Sequence, residues 1–442
     1  MSLLRQQIPL KNWITDHYNV ALVVMICLSA LCLPACKQDR TRQRLAALAY
    51  RPAGQAVQHQ SVTMPDARYA HKATEMGNGN IFIAGGIDNH NSISKDAFAF
   101  NSGQPHYFYD VDPTDPIQDL VYPRILFDQA QVTQRDGSFG KKGSILIFGG
   151  EVGYGITNII ENYDPSTDTL TVVGRLIFHR RAHTVTEIKN SGTVFDGQFL
   201  IVGGVGAYGL LKDAELFNPE TGYTTVTFGR MEFARHFHKA TPLRDGRILI
   251  TGGFDKNGIT DKAEIFDPKT QKFKLVPGHM TEPRVHHTAT YLDNKTPDDP
   301  SDDAVLIAGG LDRFGFSLDN AEFYDPDQNR FVPVNSITQE PVFYHTAVAL
   351  PQTAAYDAAI LGGYTNLNFQ APLQSDPTDH IEVFQYTYHP GTGPDGFFIH
   401  SKDMMEVRAI HTTNAMDGHG LLILGGVDEF GIARASGEEI SY

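Results

Sequence analysis

The chain has 442 residues and a net charge of −15, from 36 basic and 51 acidic side chains, and is 41% hydrophobic, 20% charged and 10% aromatic. That composition excludes wholesale disorder. The single long apolar run excludes a polytopic membrane protein, and the acidic balance excludes a sequence-independent grip on nucleic-acid phosphates, which needs a basic face. With 41 glycines and 24 prolines, tight turns and short strands are expected rather than long helices.

All three cysteines, Cys27, Cys32 and Cys36, fall in the first 36 residues, so the rest of the chain has no thiol for a disulfide, a metal or a nucleophile. A polar start with Arg5 and Lys11 leads into an apolar run from Val20 to Leu33 and then Leu33-Pro34-Ala35-Cys36. The run is too short for comfortable membrane spanning and has the length of a secretory leader. The order resembles a bacterial lipoprotein signal with its lipobox, although proline is unusual at position 34. The resemblance implies a signal peptide over residues 1–35, cleavage before Cys36 and acylation of Cys36 as a lipid anchor. Lys37, in place of an inner-membrane-retaining aspartate, implies the outer membrane of a bacterial cell envelope. Residues 36–56 then read as a polar tether. Loss of Arg5, Lys11 and Asp16 with the leader brings the net charge to −16.

From about residue 57 a pattern recurs seven times. Short apolar runs, such as Ile145–Phe148, Phe199–Val202 and Val305–Ala308, each precede a Gly-Gly pair. The pairs begin at Gly85, Gly149, Gly203, Gly252, Gly309, Gly362 and Gly425. The β-branched content predicts buried strands. About a dozen residues on comes a Glu-x-aromatic strand closed by Asp-Pro or Asn-Pro, as in Ala263-Glu264-Ile265-Phe266-Asp267-Pro268, with weaker copies at Glu382 and Glu439. An Arg-x-x-His precedes the Gly-Gly strands at Arg68/His71, Arg180/His183, Arg235/His238, Arg284/His287 and Arg408/His411. Asn78-Gly79, Asp196-Gly197, Asp245-Gly246 and Asp417-Gly418 predict hairpin turns into those strands.

Each unit therefore supplies strands a, b, c and d, in order from Arg-x-x-His through Gly-Gly to Glu-x-aromatic and one more. Repeated four-stranded units of this length are β-propeller blades. The Gly-Gly, Glu-x-Tyr/Phe-Asp-Pro and Arg-x-x-His signatures together resemble the kelch-repeat family over residues 57–442. The departure is tryptophan: kelch blades carry one in strand d, whereas the sole Trp here is Trp13. Phe273, Phe331, Tyr223 or Leu170 are expected to fill that layer. The expected fold is all-β, a seven-bladed propeller of four-stranded antiparallel blades. Its last blade is closed by the amino-terminal strand Val57–Thr63, which abolishes free sheet edges.

For a binding site the sequence offers two sets of side chains. Arg68, Arg180, Arg235, Arg284 and Arg408, with Arg124, stand where the d-to-a loops approach the axis. Either each pairs with a strand-c glutamate (Glu161, Glu215, Glu264, Glu322, Glu382 or Glu439), or the ring attracts an anionic group. Two gaps interrupt the series: Val342 replaces Arg in blade 6 and Phe98 replaces Glu in blade 1. Tyr154, Tyr208, Phe314 and Phe430 stand at b-to-c loop tips, either packed over their blades or forming a stacking rim. The histidines at 71, 183, 238, 287, 345 and 411 are spread around the ring and are expected to be structural, with no metal site. Residues 101–122, 293–303 and 366–380 are insertions. The second carries five aspartates without calcium-loop spacing and reads as a solvated loop.

No catalytic motif and no cofactor are expected. Galactose-oxidase-like chemistry needs a Tyr–Cys cross-link, and no cysteine follows Cys36. The leading expectation is an exported lipoprotein whose propeller binds a protein or a glycan and no nucleic acid. The alternative is a carbohydrate-active propeller enzyme, sialic-acid mutarotase-like or hydrolytic.

Overall fold

Runs such as Ile248–Thr251 and Ile145–Phe148 are buried on both faces, which a strand tolerates only in the middle of a sheet with sheets packed on either side. The structure, a computed structural model, satisfies this with seven four-stranded antiparallel sheets arranged as blades. It describes residues 59–103, 106–110, 119–296, 299–351, 354–366, 375–401, 403–416 and 420–441. The expected leader and tether, Cys36 included, lie outside the described residues, as do Asp417-Gly418, Val57-Gln58 and part of each insertion. Among the described residues no helix is long and apolar enough to cross a membrane.

Blade 4 shows the plan: strand a Lys239–Pro242, b Ile248–Thr251, c Ala263–Asp267 and d Lys272–Leu275, each antiparallel to the next. Asp245-Gly246 makes the a-to-b turn, with Gly246 at φ 84, as its dipeptide predicts. Between blades the cores are apolar. Leu200, Val202 and Leu216 of blade 3 interlock with Ile248, Ile250 and Phe266 of blade 4. The strand-d layer is filled by Phe273, whose ring centroid lies 5.0 Å from that of Phe266, by Phe331 at 5.6 Å from Tyr324, and by Leu170. Tyr223 does not belong there: it is 75% exposed, in the turn just ahead of strand d of blade 3, Thr224–Val226.

The ring closes as expected. In blade 7 the order is Thr412–Met416, Gly420–Leu424, Ser436–Ile440 and then the amino-terminal His59–Thr63. His59 pairs with Ile440 and Thr63 with Ser436, and His59 Nδ1 lies 3.1 Å from Glu438.

Gly-Gly and Arg-x-x-His recur together because each fills a gap the other leaves. At Gly203, φ is 61, and a Cβ there would stand 2.6 Å from the Arg235 carbonyl and 2.9 Å from the His238 ring of the next blade. The N–H of Gly204 donates to that same Arg235 carbonyl. The corresponding second glycine donates to the residue at the Arg position of the next blade at all seven junctions: Gly86 to Arg124, Gly150 to Arg180, Gly253 to Arg284, Gly310 to Val342, Gly363 to Arg408 and Gly426 to Arg68 complete the set. Only glycine gives both the left-handed turn and the close approach.

Candidate functional site

Strand order fixes which loops share a face: the d-to-a and b-to-c loops emerge together, opposite the a-to-b and c-to-d turns. On the first face the arginines do not form an open cationic ring. Arg68, Arg124, Arg180, Arg235, Arg284 and Arg408 are all fully buried. Arg235 illustrates their use: Nη1 donates to the carbonyls of Gly252 and Lys262, and Nη2 to Glu264 at 2.9 Å. Arg180 binds Glu215 at 2.5 Å, Arg284 binds Glu322 at 3.0 Å, Arg124 binds Glu161, and Arg408 lies 3.4 Å from Glu438. The same carboxylates accept the N–H groups of the loop ahead of the arginine, as Glu264 does from Glu232 and Phe233. Each pair thus staples a d-to-a loop onto strand c of its own blade. Burial without water lowers the affinity of each guanidinium for its proton, and the neighbouring carboxylates oppose that. The anion-binding expectation for these arginines fails for this reason, and the glutamate-pairing alternative describes five of the six, Arg68 being the exception.

Two details of the series differ from expectation. In blade 7 the partner is Glu438, not Glu439. Glu438 sits opposite Ile423, two residues before the Gly-Gly pair, as Glu264 sits opposite Ile250, whereas Glu439 points the other way and meets His106 at 2.6 Å. In blade 1, where Phe98 replaces glutamate, Arg68 stacks 4.5 Å from the Phe98 centroid and lies 3.5 Å from Asp96.

The histidines bridge blades. Nε2 of His71, His238, His345 and His411 lies 2.9 Å from Thr412, Thr184, Thr288 and Thr346, in each case the first strand-a residue of the preceding blade. His287 reaches Thr251 instead, because Lys239 occupies the first position of strand a in blade 4. Burial depresses these rings, His71 and His345 to about 3, so they are neutral at physiological pH. Lys239, first in strand a of blade 4, keeps its side chain exposed; Lys72 disfavours its charge and Asp128 favours it.

Sequence reasoning missed the residue just before each of these positions. Ala70, Leu126, Ala182, Phe237, His286, Tyr344 and Ile410 all adopt φ between 52 and 55, a left-handed conformation unusual for such side chains. Their backbones link blade to blade: Phe237 N donates to Ala182 O, Ile410 N to Tyr344 O and Ala70 N to Ile410 O. Phe237, His286 and Tyr344 stack at 4.8 and 3.8 Å. The axis at this face is therefore lined by an apolar collar rather than by charge. A fixed position between Arg and His was the available signal, but its varied side chains hide it.

The aromatic tips do reach solvent. Tyr154, Tyr208, Phe314 and Phe430 are 78%, 106%, 67% and 68% exposed, each five residues after the first glycine of its pair. Two of the turns are braced by a carboxylate, Asp312 Oδ1 accepting from Phe314 N and Phe316 N and Asp428 Oδ1 from Phe430 N and Ile432 N, while Tyr154 and Tyr208 cap short two-residue ladders, Glu151–Val152 with Gly155–Ile156 and Val205–Gly206 with Gly209–Leu210. Ten of the eighteen exposed large apolar side chains among the described residues lie in the loops of this face, against three in those of the other.

The acidic insertion is not wholly solvated. Asp302 and Asp303 are buried; Asp302 accepts from Asn294 and Thr296, and Asp303 from Tyr291 with Arg244 2.9 Å away. Asp379, His380 and Asp403 place one ligand-type atom each within 4.8 Å of one another, beside a cavity in blade 6.

Residues 238–280 match the Kelch motif family profile, a stretch that runs from His238 through strands a to d of blade 4. No curated protein matches the chain.

Proposed function

The chain is a kelch-repeat β-propeller, and from that premise we propose that it is an exported, lipid-anchored module that binds another protein through its d-to-a/b-to-c face. Propellers of this kind generally mediate protein interactions. The observation that carries the reading here is the asymmetry of exposed apolar surface. Water-facing aromatics at the tips of braced turns cost solvation and contribute nothing to the blades, whereas buried against a partner such rings dominate binding energetics. A rigid ring holding variable loops is a sound binding platform. The buried arginines supply rigidity; the tips supply contact. The same flat rings would stack on a sugar face, which makes a glycan the second reading.

The anchor rests on the ordered leader and Cys36. Replacing Cys36 by Ser should move the protein from the membrane fraction to the soluble fraction; retention in the membrane would end that part of the proposal. The face is tested by placing a photo-crosslinking amino acid at 208 or 314, and at 194 or 223 on the opposite face, in the intact protein. Discrete protein adducts from 208 and 314 alone support the assignment. Adducts from both faces alike, or only from the second, overturn it.

A further inference from the structure

Blade 6 breaks the arginine series, and the break leaves a buried carboxyl group without its cation. Val342 stands where the other six blades carry arginine, yet strand c of blade 6, Ile381–His389, keeps the glutamate. Glu382 sits opposite Ile360, two residues before Gly362, the same register position as Glu264 and Glu322. It still accepts a loop N–H, from Gln339 at 2.5 Å, so the staple's carboxylate half is intact. It is 5% exposed and has no cationic partner among the described residues. A buried carboxylate without its cation is costly, and a protein that retains one usually has a use for it.

The carboxylate also borders an open space. A cavity of about 530 Å³ is lined by the d-to-a loop residues Gln339 and Glu340, by Asn366, Glu382 and His400, and by the apolar face of Phe398. The loop that walls it is the one that ends in arginine in the other blades. Asp403, 3.4 Å from His400, and Asp379 add negative charge beside it. The cavity is formed from a d-to-a loop, a b-to-c loop and the ends of strands c and d, so it lies on the face assigned above to the partner.

We propose that this cavity takes a guanidinium group, the side chain of an arginine presented by the partner polypeptide, with Glu382 as its carboxylate acceptor. The sibling blades show the fit: the group that satisfies a glutamate at this register in blades 2, 3, 4, 5 and 7 is a guanidinium. Its planar donors suit a carboxylate better than an ammonium does, and Phe398 offers an apolar wall for the methylene stem. The inference rests on the partner reading only for the occupant's being part of a polypeptide.

A pH dependence follows. Burial, opposed by the Gln339 and Glu340 N–H groups and reinforced by the Glu340 carboxylate, pushes Glu382 up to about 8. The group is then largely protonated at pH 6 and ionised at pH 9, and only the ionised form holds the cation. The other titratable neighbours are Glu340, His400, and His380 with Asp379 and Asp403. Affinity should therefore rise roughly a hundredfold from pH 6 to pH 9.

The probe is N-acetyl-L-arginine amide, titrated into the intact protein by calorimetry, with N-acetyl-L-citrulline amide as its neutral isostere. Saturable binding of the arginine probe with that pH trend is expected. Citrulline should not bind. Glu382→Gln should reduce affinity more than tenfold at pH 9 without lowering the melting temperature, and Val342→Arg should abolish binding by filling the site from within. Should Val342→Arg fail to fold, Glu382→Gln alone decides. No binding by the wild type at pH 9, equal binding of citrulline, or unchanged affinity in Glu382→Gln overturns the proposal. The probe touches none of the aromatic tips, so its failure leaves the cross-linking result standing, and the reverse.

Discussion

Removing Arg284 should convert blade 5 into a copy of the uncompensated blade. In the wild type Glu322 is buried, which raises its pKa, while Arg284 and the Thr281 N–H and hydroxyl oppose the rise. Arg284→Ala deletes the largest opposing influence and leaves burial in command, the situation Glu382 already occupies at about 8. The unfolded reference for glutamate is about 4.3. A carboxyl whose folded pKa is raised contributes stability below its unfolded pKa, and that contribution is lost as pH rises toward the folded value. For a shift from about 4.3 to about 8, the full cost is about 1 kcal/mol at pH 5 and about 3–4 kcal/mol at pH 7, an upper bound on the difference between the two proteins because burial already raises Glu322 in the wild type. The second figure matches the roughly 3–5 kcal/mol found when one member of a buried ion pair is removed. Urea unfolding of wild type and variant at pH 5, 7 and 8.5 reads the difference directly. The double variant Arg284→Ala with Glu322→Gln should recover most of the pH-dependent part, because a neutral amide has no charge to bury. A loss under about 1 kcal/mol at pH 7 with no pH trend would refute the argument that these pairs staple the loops to the blades.

Acid should unfold the propeller through its histidines. His71 and His345, held near 3 by burial first and by nearby cations second, contribute stability above their unfolded pKa of about 6.5 that is lost as pH falls; at pH 4.5 each costs roughly 2–3 kcal/mol. Melting temperatures between pH 7 and pH 4 should fall steeply, and less steeply in His345→Asn. Gly203→Ala forces a Cβ toward the Arg235 carbonyl and the His238 ring and puts alanine at φ 61; the left-handed backbone alone costs about 1–2 kcal/mol, read by urea unfolding. Deleting residues 59–63 strips the outer strand from blade 7 and should lower the melting temperature and promote aggregation, measured by light scattering, through the exposed edge of Ser436–Ile440.

Strand positions were legible because the information is local. β-Branched runs, Asp-Gly turns and the Gly-Gly pairs mark every blade, and the likeness of residues around Val57–Thr63 to other outer strands located the closure. The fate of the arginines was not legible. Whether a guanidinium at a loop reaches solvent or a carboxylate depends on how far the loop folds back over its blade, a matter of tertiary packing that spacing cannot carry. Glu438 was mistaken for Glu439 for a related reason: a one-residue offset reverses which face of a strand a side chain occupies, and the weak copy at the carboxyl end had no Asp-Pro to fix it. The tips Tyr154, Tyr208, Phe314 and Phe430 were located by sequence, but their exposure was not, since an aromatic before glycine packs or projects according to the turn beneath it. Val342 was visible as a gap. What the gap does to Glu382 needed the register and the cavity.

The clasp between His59–Thr63 and Ser436–Ile440 also sets the route by which the molecule bears force. Any load applied through the segment ahead of His59 passes first into a five-residue strand on the outside of one blade, not into the ring as a whole. The six other blades are each continuous in the chain and receive tension only after that strand has peeled away. Under such a load blade 7 is expected to yield first, because among the described residues the only strand pairing that holds that strand is with Ser436–Ile440, at the junction of blades 7 and 1. The face proposed above for a partner, carried by loops on every blade, would feel that yielding as a change in the spacing of its aromatic tips.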